Sequence, residues 1–281
     1  MKDKIVFITG GNAGIGKATA IALAKKGANV IIACRNLQKG EAALADIRKA
    51  AKTTLGDLIQ CDLASFTSIQ QAATTFLSKY NQLDVLINNA GLITKECKLT
   101  AEGFEYQFGI NHLGHFLLTH LLLNKLQNTP QSRVVNVASI AHLKNTIDFD
   151  RLKGISEPYD GMKAYGQSKL ANILFTREFA KRYPNIICNC LHPGVVGTSI
   201  GNKDMKWYIS LIWSVMKPFL ITPEKGAKTS IYLASSPEVS TVTGQYFDDK
   251  QKRRNPSKEA QDDALAEKLW DVSMEYVKEY L

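Results

Sequence analysis

The chain has 281 residues, of which 45% are hydrophobic and 22% are charged, and its formal net charge is +9. This length fits one large α/β domain or at most two, and the composition shows no bias toward disorder. No repeat, low-complexity tract or linker-like stretch interrupts the chain, so one domain over residues 1–281 is predicted. Lysine and arginine are scattered apart from one basic run at 250–254, which predicts a solvated loop, and no aromatic-plus-basic pattern indicates nucleic-acid binding.

The cysteine pattern and the N-terminus bear on the compartment. The five cysteines are odd in number and include no CxxC pair, which indicates a reducing environment. No basic-then-apolar leader precedes the first predicted strand, so we expect neither a secretory signal nor an N-terminal anchor. No stretch reaches the roughly 18 unbroken apolar residues of a membrane span. A cytoplasmic protein is therefore expected.

The first predicted strand, Lys4–Ile8, runs into the glycine-rich turn TGGNAGIG at 9–16, and a helix is predicted over Lys17–Lys26. This order forms a phosphate cradle, because glycines admit a ligand close to the backbone and a helix N-terminus favours negative charge. The glycines are spaced Gly-x-x-x-Gly-x-Gly, whereas most dinucleotide folds use Gly-x-Gly-x-x-Gly. The predicted dinucleotide contacts of the turn are Gly10, Asn12, Gly14, Ile15 and Gly16.

The second predicted strand, Asn29–Ala33, bears on the choice of cofactor, because it ends at Cys34 and Arg35. About twenty residues beyond the glycines, an Asp or Glu normally binds the ribose 2′-hydroxyl of NAD. This chain has a guanidinium there instead, and the missing acid removes a repulsion toward a 2′-phosphate. The sequence therefore predicts NADP(H), in practice NADPH, as the cofactor.

A strand is also predicted over Arg133–Ala138, and it places Ser139 at its end. In doubly wound sheets, chemistry gathers outside the carboxyl ends of the strands, where both Gly10 and Ser139 fall. A hydroxyl at that point can hydrogen-bond a substrate carbonyl and stabilise the charge that develops on it. Ser-His-Asp hydrolysis is the alternative for Ser139, but no Gly-x-Ser-x-Gly elbow frames it.

The segment Gly161–Tyr183 is predicted to be a helix with Tyr165 and Lys169 on one face, one turn apart. A phenol is a poor proton donor near neutrality, since its ordinary pKa is about 10. A neighbouring ammonium favours the phenolate, so we expect Lys169 to lower the pKa of Tyr165 toward the working pH. Such a pair is common on solvated helices and by itself does not indicate a catalytic site. The glycine turn upstream is what favours a catalytic role for the pair here.

Eight motifs together carry a family resemblance: TGGNAGIG at 9–16, ACR at 33–35, CDL at 61–63, NNAG at 88–91, NHLGHF at 111–116, VNVAS at 135–139, YGQSK at 165–169 and HPGVVGT at 192–198. With them the chain resembles the short-chain dehydrogenase/reductase family, and within it the retinol-dehydrogenase and WW-domain-oxidoreductase branch. The resemblance implies a Rossmann-type, doubly wound α/β fold with a mainly parallel seven-stranded sheet and helices on both faces. It also implies reversible hydride transfer between a nicotinamide and a carbonyl or alcohol.

The resemblance also implies a role for each site residue. Tyr165 would donate the proton and contact the cofactor, Lys169 would lower its pKa and bind the ribose, and Ser139 would hold the carbonyl oxygen. Asn111 would hold a water between Lys169 and bulk solvent and so complete a proton relay. The other implied cofactor contacts are Asp62 and Leu63 at the adenine, Asn89, Ala90 and Gly91 at the ribose, and Pro193, Gly194, Val196 and Thr198 at the nicotinamide side and a phosphate.

The histidines do not predict a metal site. His112 and His115 lie three residues apart on the predicted helical region Glu102–Leu126. A metal site needs a third and fourth ligand with supporting hydrogen bonds, and the sequence indicates none. We therefore expect these side chains, with His120 and His142, to be packed or partly exposed.

Residues 207–222, WYISLIWSVMKPFLIT, are apolar and aromatic but are interrupted by Lys217 and Pro218, so they are too short to span a bilayer. Three roles stay open: a lid over a lipophilic substrate, a helix in a membrane interface, and core or dimer packing. We favour a lid over about 195–225. Its composition favours a hydrophobic alcohol or aldehyde over a sugar, and it leaves peripheral membrane contact as a further expectation.

The remaining predicted strands are Asp57–Gln60, Leu83–Ile87, Ile186–Leu191 and an edge strand at Gly244–Phe247. The remaining predicted helices are an amphipathic helix at Glu41–Lys52, a helix at Pro223–Ser235 and a polar helix over Lys258–Tyr280. In the family, the last strand and its helices often build dimers, so a homodimer is also expected. The alternative function is a non-enzymatic NADP(H)-sensing binding protein. All four catalytic positions are filled, which argues against that alternative.

Overall fold

The computed structural model describes residues 1–155, 157–194 and 221–281. Within these ranges one sheet contains eight strands: β1 (Ile5–Thr9), β2 (Asn29–Cys34), β3 (Asp57–Gln60), β4 (Val85–Asn88), β5 (Arg133–Val137), β6 (Ile187–Leu191), β7 (Tyr246–Phe247) and β8 (Arg253–Arg254). Their spatial order is β3-β2-β1-β4-β5-β6-β7-β8. The first seven in this order pair in parallel, and β8 pairs antiparallel with β7. The predicted Rossmann-type, mainly parallel sheet is confirmed, with β8 added at one edge.

Helices cover both faces of this sheet: α1 (Gly14–Lys25), α2 (Leu37–Ala51), α3 (Phe66–Lys79), α4 (Tyr106–Phe108), α5 (Gly114–Leu121), α6 (Leu123–Asn128), α7 (Gly161–Arg182), α8 (Pro223–Ser235) and α9 (Asp263–Val277). A π-helical turn, Gly109–Leu113, joins α4 to α5. Most of the predicted helices are present with shifted ends. The predicted helical region Glu102–Leu126 is instead divided into α4, the π-helical turn, α5 and α6, and α3 was not predicted.

Two hydrophobic cores lie on opposite faces of the sheet. Successive side chains of β1 alternate between them: Phe7 packs with α3, α5, α7 and α9, whereas Val6 and Ile8 pack with α1, α2 and α8. All three side chains are fully buried. A strand covered on both faces reads as a continuous apolar run, which is why the sequence predicted β1 and its neighbours well.

The basic run at 250–254 is more ordered than predicted. The carboxylate of Asp248, which is buried, accepts hydrogen bonds from the backbone nitrogens of Lys250 and Lys252, both at 2.9 Å, and from Arg254 Nε at 2.7 Å. These bonds reverse the chain, so β8 pairs along β7. The prediction of a simple solvated loop is therefore wrong for the end of the run, and β7 is not an edge strand.

Part of the predicted lid cannot be placed. Val196, Thr198 and the apolar segment up to residue 220 lie outside the described residues. In the portions that are described, no helix has both the length and the apolar character needed to cross a membrane.

The C-terminal helix α9 is anchored by Trp270, which is buried. Its indole lies 5.1 Å from the ring of Phe116 and 5.9 Å from that of Phe175, between centroids, and the Arg182 guanidinium lies 4.8 Å from the indole centroid. Aromatic and cation–π contacts of this kind add to the free energy of area burial. The tail of the chain is thus packed onto α5 and α7, and α7 carries Tyr165 and Lys169.

Replacing Trp270 by alanine is expected to lower the free energy of unfolding by about 3–5 kcal/mol, because it leaves a large cavity between α5, α7 and α9. Urea denaturation followed by circular dichroism measures the change. Glu267→Ala is the control, since Glu267 is exposed on the same helix and its loss should cost about 0.5 kcal/mol or less. Equal effects of the two substitutions would contradict the packing role of Trp270.

Candidate active site

The glycine turn after β1 is shaped for close approach of a ligand. Gly10 has a φ of +66°, and a Cβ atom there would lie 3.0 Å from Ala90 Cα. A Cβ atom at Gly16 would lie 2.3 Å from the Gly10 carbonyl oxygen. Helix α1 begins at Gly14, its N-cap Ala13 provides no side-chain hydrogen bond, and its first turn contains no acid. The helix N-terminus therefore favours an anion, and the turn fits the pyrophosphate of a dinucleotide. The other predicted contacts of the turn lie in the same loop and first helical turn: Asn12, partly exposed, and Ile15, buried.

The two residues predicted at the adenosine end lie side by side, because β2 and β3 are neighbours. The side chain of Arg35 is 62% exposed, and its Nη1 lies 4.0 Å from Asp62 Oδ2. The other carboxylate oxygen of Asp62 accepts a hydrogen bond from the backbone nitrogen of Ala64 at 3.0 Å. Leu63 is buried in the core. The Arg35 guanidinium is thus exposed beside the carboxyl ends of both strands.

The turn after β4 connects the cofactor half to the catalytic half. Thr9 Oγ1 accepts hydrogen bonds from the backbone nitrogens of Asn89 and Ala90, at 2.9 and 3.0 Å. A Cβ atom at Gly91 would lie 3.2 Å from Lys169 Nζ and 3.3 Å from Asn111 Oδ1. Glycine at 91 is therefore what allows Lys169 and Asn111 to approach the turn closely.

The structure brings Ser139 and Tyr165 together, as predicted from the resemblance. Helix α7 is capped by Asp160, whose Oδ1 accepts from the backbone nitrogen of Met162 at 2.9 Å. A Cβ atom at Gly166 would lie 2.5 Å from the Ala141 carbonyl oxygen, so the missing side chain lets α7 pack against the loop after β5. The hydroxyl of Ser139 lies near the phenol of Tyr165 and, as a hydrogen-bond donor, lowers its pKa.

Lys169 lies behind Tyr165 and is 3% exposed. Its Nζ donates a hydrogen bond to the Val137 carbonyl oxygen at 3.0 Å and lies 5.7 Å from the centroid of the Tyr165 ring. Burial lowers the pKa of Lys169 to about 8. The ammonium is therefore charged at neutral pH but begins to lose its proton in mildly alkaline solution.

The pKa of Tyr165 moves opposite to the prediction. Burial raises it above its ordinary value of 10, and the hydrogen bond with Ser139 offsets this only in part. Removing a phenolate from water is unfavourable, and the Lys169 ammonium is itself buried and bonded to a backbone carbonyl. The prediction that Lys169 brings the pKa of Tyr165 down is therefore wrong for the net shift in this structure.

Replacing Lys169 by methionine is expected to stabilise the fold near pH 7. The pKa of Lys169 is about 8 in the folded protein against an ordinary 10.5, so below pH 8 the folded state carries a buried charge at a cost of about 3 kcal/mol. Between pH 8 and 10.5 only the unfolded state holds the proton, so the stability of the unsubstituted protein rises with pH and the advantage of methionine shrinks. The Val137 carbonyl keeps a partner, since Asn172 Nδ2 also donates to it at 3.3 Å.

Denaturant titrations of both proteins from pH 7 to 10.5 measure this difference. Lys163→Met is the control, because Lys163 lies on the same helix with its side chain exposed. A constant stability difference across this pH range would contradict the depressed pKa of Lys169.

Asn111 lies in the π-helical turn and is fully buried. Its Nδ2 donates to the Leu92 carbonyl and to Ser168 Oγ, both at 3.0 Å, and its Oδ1 accepts from the Leu92 backbone nitrogen at 2.9 Å. The side chain thus fixes the turn that ends β4. Its implied role of holding a relay water stays a prediction.

Two histidines support the loops on the nicotinamide side. His142 Nδ1 donates to the Ser139 carbonyl at 2.7 Å, and His142 Nε2 accepts from the Ser257 backbone nitrogen at 3.2 Å. The Tyr246 hydroxyl shares a hydrogen bond with His192 Nδ1 at 2.7 Å, directly before Pro193 and Gly194.

Gly194 has a φ of +78°, and a Cβ atom there would lie 3.3 Å from Asp249 Oδ2. The described part of the HPGVVGT motif therefore lies at the carboxyl end of β6, on the same edge of the sheet as Ser139.

The sequence predicted no role in the site for Thr9, His142 or Tyr246, although each supports a predicted site loop. Only Thr9 could have been found from the sequence, because it directly precedes Gly10 at the end of β1. His142 and Tyr246 lie far apart in the chain, and their rings meet at 5.2 Å only in the fold.

A family model described as short chain dehydrogenase matches residues 4–209. The chain belongs to this family. It is therefore an oxidoreductase that acts on alcohol and carbonyl groups with a nicotinamide cofactor, and the resemblance stated from its motifs is confirmed.

Relatives extend the match over nearly the whole chain. Retinol dehydrogenase 12 of Mus musculus is 44% identical over 274 residues, which are 97% of this chain and 85% of the relative. Retinol dehydrogenase 13 of Homo sapiens is 42% identical over 284 residues, covering 98% and 84% of the two chains. Within the short-chain dehydrogenases, this chain is thus similar to the retinol dehydrogenases.

Solved structures agree on the fold. An uncharacterised protein from Mycobacterium Paratuberculosis has a TM-score of 0.79 and 33% identity, over 99% of this chain and 94% of that one. A short chain dehydrogenase from Shigella flexneri, complexed with NADP, has a TM-score of 0.70 and 23% identity, over 89% and 98%. At 23% identity, the similarity to the Shigella flexneri structure shows only that the fold is shared.

Proposed function

We propose that the enzyme uses NADP(H) to interconvert a lipophilic aldehyde or ketone and the corresponding alcohol. The observation that carries this is the convergence of Ser139, Tyr165 and Lys169 at the carboxyl end of β5, on the edge of the sheet that bears the glycine turn. When bound, the dinucleotide supplies or accepts the hydride.

The three side chains divide the handling of the proton. A raised pKa keeps the Tyr165 phenol protonated at neutral pH, so it has a proton to donate to the oxygen of the reduced carbonyl. Ser139 holds that oxygen as charge develops on it. The Lys169 ammonium, charged below about pH 8, stabilises the phenolate that remains after transfer. Asn111 fixes the adjoining turn, and a water held beside it would return a proton from solvent.

The preference for NADP(H) rests on Arg35. Its guanidinium is exposed at the end of β2, and no acid occupies residues 34–36, where a carboxylate would repel a 2′-phosphate. Asp62 is the nearby acid, but one of its oxygens is held by the backbone nitrogen of Ala64. An exposed planar guanidinium is well suited to a phosphate.

A lipophilic substrate is supported by exposed apolar side chains that lie close to the catalytic residues in the chain. Ile140, which follows Ser139, is 52% exposed, and Met162, three residues before Tyr165 on α7, is 60% exposed. Leu143 and Ile155, between them in the chain, are exposed as well. The relatives named retinol dehydrogenases point to the same class of substrate. A grouping of exposed apolar side chains favours a binding surface for an apolar molecule.

The test is a panel of carbonyl compounds with NADPH. Oxidation of NADPH is followed with all-trans-retinal, a long-chain fatty aldehyde, a steroid ketone and a quinone, and glyceraldehyde serves as the polar control. We expect kcat/KM for at least one apolar compound to exceed that for glyceraldehyde by more than about tenfold, since each buried methylene contributes about 0.8 kcal/mol. A preference for glyceraldehyde, or no oxidation with any compound, would overturn the proposal.

We further propose that residues 1–281 form one domain, because α9 at the C-terminus packs on α7 from the middle of the chain. A homodimer and peripheral membrane contact stay predictions. Sedimentation equilibrium tests the first, and co-sedimentation with lipid vesicles, with and without residues 207–220, tests the second.

A further inference from the structure

A buried histidine that the proposed reaction does not use lies between the two halves of the site. His115, on α5, is 2% exposed, and both of its ring nitrogens have partners. Its Nε2 lies 2.8 Å from Thr9 Oγ1, and its Nδ1 lies 3.1 Å from the Asn111 carbonyl oxygen. The ring therefore joins the strand that precedes the glycine turn to the helical turn that carries Asn111.

The surrounding bonds decide which ring nitrogen carries the proton. Thr9 Oγ1 already accepts from the backbone nitrogens of Asn89 and Ala90, so its two lone pairs are used and it must donate its own hydrogen. Two acceptors lie within reach of this hydrogen: the Ile87 carbonyl oxygen is 3.4 Å from Thr9 Oγ1, and His115 Nε2 is 2.8 Å from it. The shorter distance favours His115 Nε2. His115 Nε2 is then the acceptor, and Nδ1–H donates to the Asn111 carbonyl.

These bonds close a circuit around Gly91. From Thr9 the circuit runs to the Asn89–Leu92 turn, from Leu92 to the side chain of Asn111, and from the Asn111 carbonyl through His115 back to Thr9. Lys169 reaches the enclosed turn, since its Nζ would lie 3.2 Å from a Cβ atom at Gly91. A closed set of bonds holds its members more rigidly than the same bonds in an open chain, because no member can shift alone.

We infer that His115 is a positioning residue: as a neutral ring protonated on Nδ1, it holds Asn111 and the Asn89–Leu92 turn in register with the glycine turn for dinucleotide binding. The inference rests on the proposed function, because it assigns this turn to the cofactor. Burial lowers the pKa of His115 to about 4, which agrees with a neutral ring at working pH. Loss of the imidazole ring is expected to weaken binding of the cofactor more than binding of the carbonyl substrate.

His115→Leu opens the circuit, and titration of intrinsic fluorescence with NADPH and with NADH measures dinucleotide affinity. We expect Kd for NADPH to rise about tenfold, as for the loss of about one buried hydrogen bond, while KM for the carbonyl substrate changes by less than about twofold. His115→Asn retains an amide near the position of Nδ1, and His115→Gln one near that of Nε2. Each restores a single link, so each is expected to stay impaired in dinucleotide binding.

His120→Leu is the matched control. His120 lies on the same helix, its Nδ1 is 2.8 Å from the Phe116 carbonyl, and burial lowers its pKa to about 4 as well. Among the described residues, its ring packs against Phe116 and Trp270 and does not hydrogen-bond the glycine turn. We expect His120→Leu to lower Tm by about as much as His115→Leu does but to leave Kd for NADPH unchanged. Equal losses of affinity in both leucine variants would overturn the positioning role.

The tautomer is a readout that needs no turnover. Long-range proton–nitrogen correlation spectra of the ¹⁵N-labelled protein, assigned with the His115 variants, are expected to show Nδ1 protonated and Nε2 bare. An Nε2–H ring would overturn the inference even if activity fell in the variants. If the protein binds NADPH but reduces no carbonyl compound, the proposed function fails while the tautomer and the affinities still decide the role of His115.

Discussion

Replacing Tyr165 by phenylalanine is expected to slow carbonyl reduction by roughly 10²–10⁴-fold, the range that general acid catalysis contributes. Phenylalanine keeps the ring on α7 and removes only the hydroxyl that faces Ser139. The ring lies 5.7 Å from Lys169 Nζ, measured to its centroid, and that packing should persist. Kd for NADPH is therefore expected to stay within about twofold, since no bond of the glycine turn is lost.

Single-turnover oxidation of NADPH separates the chemical step from binding in this variant. Tyr159→Phe is the matched control, because the Tyr159 hydroxyl is also partly buried but bonds Glu105 Oε1 at 2.8 Å, away from Ser139. That substitution should leave the single-turnover rate within about twofold. Unchanged turnover in Tyr165→Phe would refute the assignment of the proton donor.

Replacing Arg35 by aspartate is expected to change the ratio of kcat/KM for NADPH over NADH by about 100-fold in favour of NADH. The substitution removes a charge-assisted bond to the 2′-phosphate and adds repulsion from a carboxylate, which together amount to about 3 kcal/mol. The new carboxylate can also accept from the ribose 2′-hydroxyl of NADH. The folded state should change little, because the Arg35 side chain is 62% exposed.

Arg35→Gln is the control for charge alone, since it removes the attraction without adding repulsion and should give an intermediate ratio. Steady-state kinetics with both dinucleotides measure all three proteins. An unchanged ratio in Arg35→Asp would contradict the role given to Arg35 and would leave the choice of cofactor to other residues.

The sheet could be predicted because its strands are buried on both faces. Such strands read as short apolar runs, as in IVFIT of β1, and they begin and end where polar or glycine residues interrupt the run. The glycine turn was predictable for a related reason, since the φ of +66° at Gly10 favours glycine and leaves a visible pattern. The number of strands and their mainly parallel arrangement came from the family resemblance.

Features that depend on tertiary contacts were missed. The π-helical turn at Gly109–Leu113 leaves no periodic signal, so Asn111 was predicted on a continuous helix. The bonds of Asp248 that create β8 join a buried carboxylate to backbone groups, and residue type alone does not encode them. The same holds for His115, whose partners are a distant threonine and a backbone carbonyl.

The sign of the Tyr165 pKa shift could not be read from the spacing of Tyr165 and Lys169. A lysine four residues away predicts a lowered pKa if the ammonium acts mainly on the phenol. Burial and hydrogen bonding compete with that effect, and both depend on the loop after β5 that packs against Gly166. The chemical assignment is unchanged, because a phenol that stays protonated at neutral pH is still a proton donor.

Transfer of deuterium tests most directly that this site passes hydride from NADPH to a carbonyl carbon. The full chain is incubated with NADPH that carries two deuterium atoms at C4 of the nicotinamide, and with the best carbonyl compound of the panel. Mass spectrometry of the alcohol is expected to show one deuterium on the former carbonyl carbon, and none when Tyr165→Phe replaces the unsubstituted protein over the same time. Alcohol formed without deuterium, or labelled alcohol formed equally fast by Tyr165→Phe, would contradict the account.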